Sequence, residues 1–247
     1  MEPIGPKLAE GKDSEIYEHG SGRVLRLPRD GRSLVAEADI MRFVGERGYP
    51  VPGVHDAGQG YLVMDRLAGP TMLKSALTHP QRIGSYGRLL AQLHIQLHQI
   101  GAPDWLTTEA AARGDCLLHR DLHPLNVLMT KKGPVVIDWA NAARGNPAYD
   151  VADAWVLFAT ADSPGNSLAR SLAAVARKIF LRNFLGELDA DAARAVIPAA
   201  VEHRLVDRNM TEAEKERMRR LSAWSASGQP GPPGWGLDRA APEQRRR

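Results

Sequence analysis

Residues 117–128 read Leu117-Leu118-His119-Arg120-Asp121-Leu122-His123-Pro124-Leu125-Asn126-Val127-Leu128. After a turn at Lys131-Lys132-Gly133-Pro134 the chain continues Val135-Val136-Ile137-Asp138-Trp139. Two short apolar runs, Val127-Leu128-Met129 and Val135-Val136-Ile137, flank the Lys132-Gly133 turn, which predicts a β-hairpin. An amide, Asn126, leads into its first strand and an acid, Asp138, follows its second. A further acid, Asp121, lies five residues before the amide. Turn and capping residues of a helical protein would also supply Asp and Asn, but they predict neither this spacing nor the flanking β runs.

Upstream of this stretch, residues 7–28 read as strands in succession. Glu15-Ile16-Tyr17-Glu18 and Arg23-Val24-Leu25-Arg26-Leu27 alternate, and Gly20-Ser21-Gly22 supplies the turn between them. Pro28 to Gly31 breaks the pattern. Ser33 is placed to cap a helix from Leu34 to Glu46, where Leu34, Ala38, Met41 and Val44 fall on one side. Gly48-Tyr49-Pro50-Val51-Pro52-Gly53 ends that helix. A turn at Gly58-Gln59-Gly60 then precedes Tyr61-Leu62-Val63-Met64, short and apolar enough for a buried strand. This order predicts a small α+β lobe.

Downstream the signal is mainly helical. Between Gln81 and Gln99, residues Leu89, Leu90, Leu93, Leu97 and Ile100 line one side of an amphipathic helix. Helical patterns resume at 150–161, 167–185, 190–206 and 211–224. His94 and His98 are four apart on one helix, but no H-E-x-x-H order surrounds them, so they read as core or surface histidines. Asp150, with Asp153 at the start of a helix, reads as its cap.

Composition narrows the classes. At 247 residues the chain can bury one sizeable core or two small lobes. Its 43% hydrophobic and 25% charged residues are those of an ordinary soluble protein. No apolar run approaches the roughly 20 residues of a membrane span, and the N-terminus lacks a secretory signal pattern, so no membrane partner is expected. The single cysteine, Cys116, fits a reducing cytoplasm and reads as a packing residue. The net charge is +3, of which residues 225–247 carry +2 through four arginines against Asp238 and Glu243. The remainder has no basic face, and no nucleic-acid partner is expected.

The chemistry follows from the central stretch. Phosphoryl transfer from ATP needs phosphates held by Mg²⁺, an acceptor hydroxyl in line and a carboxylate for its proton. His119 to Asn126 matches the kinase catalytic-loop pattern H-R-D-L-x-x-x-N at all five fixed positions. Asp121 would then orient and deprotonate the hydroxyl, with Asn126 and Asp138 as oxygen ligands for Mg²⁺. The sequence resembles the aminoglycoside-phosphotransferase-like branch of the protein-kinase-like superfamily. The resemblance rests on His119, Asp121, Pro124 and Asn126, on Ile137-Asp138-Trp139, and on Gly145-Asn146-Pro147-Ala148-Tyr149-Asp150-Val151-Ala152.

That resemblance implies a bilobal α+β protein-kinase-like fold, with a small β-rich N-lobe carrying one helix and a larger helical C-lobe. The implied divisions are a nucleotide-covering lobe at 1–64, a hinge at 65–69, a helical lobe with the catalytic loop at 70–224 and a disordered tail at 225–247. Gly11-Lys12-Asp13-Ser14-Glu15-Ile16-Tyr17 sits where such proteins fold a loop over the nucleotide, with Ser14 facing a phosphate. Arg26 stands in the place of the usual phosphate-pairing lysine, and Glu37 is its partner. Asp65 and Leu67 would meet the adenine edge through backbone groups. In the family, the aspartate at position 150 supports the loop.

Only twelve steps separate Asp138 from Asp150, and neither Phe-Gly nor A-P-E occurs there. A regulated protein kinase needs a longer segment, so a small-molecule hydroxyl acceptor is expected and a protein substrate is not. Sugars, amino alcohols and aminoglycoside-like compounds remain open. Ala140 stands where the branch often has a second acid. The competing reading is a non-catalytic nucleotide-binding pseudokinase or scaffold, favoured by Arg26 and the glycine-poor loop and opposed by the intact Asp121, Asn126 and Asp138.

Overall fold

A computed structural model of the chain describes residues 4–11, 13–108, 113–161, 166–206 and 210–229. The chain divides into two compact units. Met1–His79 with Leu93–Asp150 forms the first, and Pro80–Gln92 with Val151–Arg247 forms the second. The N-terminal part is sheet and the C-terminal part helical, an α+β fold as the sequence implies.

The first unit is built on a five-stranded antiparallel sheet. Its strands are β1 (Ile4–Glu10), β2 (Ser14–His19), β3 (Arg23–Pro28), β4 (Val54–Gly58) and β5 (Tyr61–Asp65), in the order β1-β2-β3-β5-β4. β3 is central, with Arg26 opposite Ile16 on one side and Leu62 on the other. Val24 and Leu25 alternate across the pleat yet are both buried, so this strand is covered on both faces. The turn expected at 20–22 holds both Gly20 and Gly22 at positive φ, which suits glycine. Gly11 follows β1 and its N–H bonds Ser14 C=O at 2.8 Å, while Lys12 is outside the described residues.

Helix α1 (Val35–Gly45) packs against β4. Ser33 does not cap it, contrary to expectation: the N-cap is Leu34, with no side-chain cap bond. Leu34 is buried and donates its N–H to Gly58 C=O, while the Ser33 hydroxyl, one position earlier, accepts Val35 N–H at 3.4 Å. Helix α2 (Met72–Thr78) follows and was not distinguished in the sequence; Thr71 caps it by accepting from Lys74 N–H. Helix α3 (Ile83–His98) matches the predicted amphipathic helix.

Four short strands complete the unit. β6 (Cys116–Leu118) pairs with β9 (Ala143–Gly145), and β7 (Val127–Thr130) pairs with β8 (Gly133–Val136) as the predicted hairpin. Cys116 is half-buried on β6, less enclosed than its apolar context suggested. Gly69, at φ 153, lies so close to the Met129 carbonyl that a Cβ there would collide with backbone.

The second unit contains α5 (Ser167–Leu185), α6 (Ala190–Leu205) and α7 (Glu212–Ala226), with most of α4 (Pro147–Thr160). Trp155, Phe180, Phe184, Ile197, Val201, Met218, Leu221 and Trp224 are buried there. Thr211 and Glu214 form a reciprocal capping box at the start of α7. That helix runs to Ala226, so the first residues of the expected tail are helical, and residues 230–247 lie outside those described.

Gly87 marks the closest approach of α3 to α5: a Cβ at that position would stand 2.5 Å from the Phe180 carbonyl. Replacing Gly87 with Ala should destabilise the protein by about 1–3 kcal/mol in denaturant unfolding. Gly101→Ala, whose Cβ would meet nothing within 4 Å, serves as the control and should be near neutral.

Candidate active site

The residues singled out around the hairpin meet in the first unit. Asp121 and Asn126 stand at the two ends of the loop between β6 and β7, and Asp138 follows β8. Ile137 N–H donates to Asn126 C=O at 3.0 Å, which brings the amide and Asp138 to neighbouring positions at the open end of the hairpin. The Asn126 amide nitrogen donates to both the Asp121 carbonyl and carboxylate Oδ2, each at 3.0 Å. With its NH₂ thus directed, the side-chain oxygen of Asn126 is the end able to act as a ligand.

Two backbone positions in the site are strained. Arg120 and Asp138 have φ of 64° and 68°, in the left-handed region that non-glycine residues seldom adopt. The left-handed turn at Arg120 is held by a buried anchor, Asp150, which supports the loop as the resemblance implies and does more than cap a helix. Asp150 lies within α4, almost fully buried, and accepts Arg120 N–H at 2.6 Å through one oxygen and His119 N–H at 3.0 Å through the other. The second oxygen also receives His98 Nε2 at 3.1 Å. His98 is therefore a partly buried partner of Asp150, and its spacing from His94 alone does not reveal it. Burial raises the Asp150 carboxyl's pKa, but the His98 hydrogen bond, the nearby His98 and His94 charges and the His119 amide outweigh it and carry it below the usual carboxylate range.

His119 itself is a packing residue. Its Nε2 donates to Ile137 C=O at 3.2 Å, and its ring lies 4.6 Å from Trp139. Burial holds its pKa below the ordinary value despite the surrounding aspartates, keeping it neutral. His123, an unassigned position of the motif, also reaches the site. Leu125 N–H donates to its Nδ1 at 3.2 Å, so the ring proton sits on Nε2, 3.5 Å from Asp121 Oδ2.

Arg26 reaches three side chains with one guanidinium. Nε donates to Ser14 Oγ at 3.1 Å, NH1 to Glu37 Oε1 at 2.6 Å and NH2 to Asp138 Oδ1 at 3.3 Å. Ser14 and Glu37 are buried, whereas the Asp138 side chain is 45% exposed. Glu37 Oε1 also accepts Trp139 N–H at 3.3 Å, tying α1 to the segment after the hairpin. Burial pushes the Glu37 carboxyl upward, Arg26 pulls it back and the Asp138 charge adds to the rise. A lysine ammonium could not span these three acceptors in one plane.

Asp65 closes β5, and Leu67 follows it in the segment leading to α2. Asp65 N–H bonds Gly53 C=O at 2.9 Å, and its carboxylate holds Gly53 N–H at 2.9 Å and His55 Nε2 at 2.8 Å. Among the described residues no three His, Cys, Asp or Glu side chains are arranged to hold a metal alone. A Mg²⁺ ion needs less, since it takes one or two protein oxygens and fills its octahedron with phosphate and water. The partly exposed Asp138 carboxylate and the Asn126 amide oxygen, on residues brought together at the open end of the hairpin, are oxygen donors of that kind.

Asp150→Ala should lower unfolding free energy by about 3–5 kcal/mol, because two amides and His98 lose a buried acceptor. The same group makes stability pH-dependent. Its carboxyl titrates lower when folded than the roughly 3.9 of an unfolded aspartate, so its contribution is full above pH ~4 and is lost as pH falls through the folded value. Denaturant titrations of both proteins between neutral pH and acid should therefore converge only at strongly acid pH.

Comparison with known proteins agrees with this geometry. The model of the phosphotransferase enzyme family matches residues 6–115 and 102–179. No curated protein matches the chain in sequence. Among solved structures, a choline/ethanolamine kinase family protein from Mesorhizobium loti superposes with a TM-score of 0.57 at 16% identity, over 94% of this chain and 92% of that one. A thermostable mutant of an aminoglycoside phosphotransferase, solved with AMP-PNP and hygromycin B, gives a TM-score of 0.59 at 17% identity, covering 92% and 94%. A streptomycin–ATP complex of another aminoglycoside phosphotransferase gives 0.55 at 14%, covering 89% and 90%. At such identities the likeness is one of fold.

Proposed function

The chain belongs to the phosphotransferase enzyme family, and we propose that it transfers the γ-phosphoryl group of ATP to a hydroxyl of a small molecule. The observation that carries this reading is the Asp121–Asn126 pair beside Asp138, with the Asp121 carboxylate held by an amide at 3.0 Å. Asp121 accepts the hydroxyl proton as the acceptor oxygen bonds to the γ-phosphorus. The bond from phosphorus to the bridging β–γ oxygen breaks, and ADP leaves with that oxygen. Little covalent help is needed, so orientation and charge dominate.

Asn126 and Asp138 are the residues that would hold Mg²⁺, which when bound neutralises phosphate charge. Arg26, steadied by Glu37 and Ser14, presents positive charge to the phosphates. Ser14 accepts from Arg26 and so keeps its own hydroxyl proton for a phosphate oxygen. The Asp65 carbonyl and Leu67 N–H are assigned to the adenine edge. ATP use gains support from solved relatives of the same fold whose complexes hold ADP, ATP or AMP-PNP.

A small acceptor is favoured over a protein by the segment from Asp138 to Asp150. It is taken up by β9, paired to β6, and the first turn of α4, with no length left for a peptide platform. Relatives of the fold are complexed with hygromycin B and streptomycin. The acidic bias that a polycationic aminoglycoside would favour is absent from this chain's C-terminal helices, so sugars and amino alcohols belong in any panel of acceptors.

With γ-labelled ATP, Mg²⁺ and such a panel, transfer should be found for at least one acceptor. Asp121→Asn should lower kcat by about 10²–10⁴ while leaving the KM for ATP nearly unchanged. Undiminished transfer in that variant would overturn the assigned base. ATP binding without transfer to any acceptor would favour a nucleotide-binding scaffold.

A further inference from the structure

Helix α5 has two apolar faces. One, Phe180, Leu181, Phe184 and Leu185, is buried, with Phe180 stacked on Phe158 at 4.4 Å. The other consists of Leu168, Leu172, Val175 and Ile179, which recur at steps of four, three and four and so form a single stripe. These side chains are 68%, 63%, 57% and 44% exposed. An amphipathic helix of a soluble protein turns its apolar stripe inward, whereas α5 turns a second one outward over three turns. Four such residues in line form a contiguous patch, unlike apolar side chains scattered singly over a surface.

The charge of the helix indicates what covers this patch. α5 contains Arg170, Arg177, Lys178 and Arg182 and no acid. Arg177 is engaged, donating to the Ala161 carbonyl at 2.9 Å, but Arg170, Lys178 and Arg182 are exposed. Lys178 and Arg182 lie along one flank of the stripe on the helical wheel, where their long stems can reach past buried neighbours to anionic groups. A second copy of the chain would set like charges against each other with no acid on the helix to pair them. An exposed apolar stripe flanked by cations and free of acids is the pattern of a helix lying in a membrane interface.

We propose that the outer face of α5 docks on an anionic lipid bilayer, with Leu168, Leu172, Val175 and Ile179 among the acyl chains and Lys178 and Arg182 at headgroup phosphates. The absence of a spanning segment, from which no membrane partner was expected, does not bear on this mode. Among the described residues no helix is long and apolar enough to cross a membrane, and a helix lying in the interface need not be. The inference is independent of the phosphotransfer site, since α5 carries none of its residues.

The test is co-sedimentation of the full chain with vesicles of phosphatidylcholine alone or containing roughly one-third phosphatidylglycerol. Binding should appear only with the anionic vesicles and weaken as salt is raised. Lys178→Glu and Arg182→Glu should each weaken it by about fivefold or more, and Leu172→Glu with Val175→Glu by about tenfold or more. Thermal unfolding and any measured phosphotransfer in solution should be unchanged, because these side chains face solvent. Three results would overturn the proposal: no binding to either vesicle, equal binding to both, or a dimer by light scattering that Leu172→Glu with Val175→Glu dissociates.

Discussion

The carboxylate of Asp150 is the fixed point of the candidate site. It is buried, it accepts two consecutive backbone amides from His119 and Arg120, and it holds His98 from the end of α3. Those bonds make a left-handed Arg120 tolerable, and that turn sets Asp121 at the head of the loop. A buried anion with three donors is a rigid support, since moving any one leaves an unmet group in a low-dielectric interior. Asp121 can therefore be half-open to ligand without being loose.

A second network balances charge around Arg26. Arg26 links Ser14 on β2, Glu37 on α1 and Asp138 beyond the hairpin. Its guanidinium is largely buried between two carboxylates, and Glu37 also accepts the Trp139 amide. The planar fork of arginine meets three acceptors at once, which a lysine ammonium in its place could not do. It also means that Asp138 is partly neutralised by the chain's own cation.

Much of this was legible from the sequence. The hairpin, the spacing of Asp121, Asn126 and Asp138, the Arg26–Glu37 pair and the long helices all leave periodic or motif-level signals. What was missed depends on tertiary contacts. The N-cap of α1 is the buried Leu34, with the Ser33 hydroxyl accepting Val35 N–H from one position earlier, and nothing local separates those two starting points. Local pattern alone makes Asp150 a helix cap, and only the family resemblance points to its support of a loop thirty residues earlier in the chain. His98 pairs across fifty-two positions, beyond the reach of any local pattern. The outward stripe of α5 was visible as periodicity, but which of two apolar faces lies inside is decided only by packing.

Phosphorus NMR of ATP incubated with the full chain, Mg²⁺ and a mixture of hydroxylated metabolites tests the central claim most directly. The account predicts that the γ-phosphate signal declines as a phosphomonoester signal and ADP rise in equal amounts. Nucleotide resonances that shift on binding but never yield a monoester would contradict it.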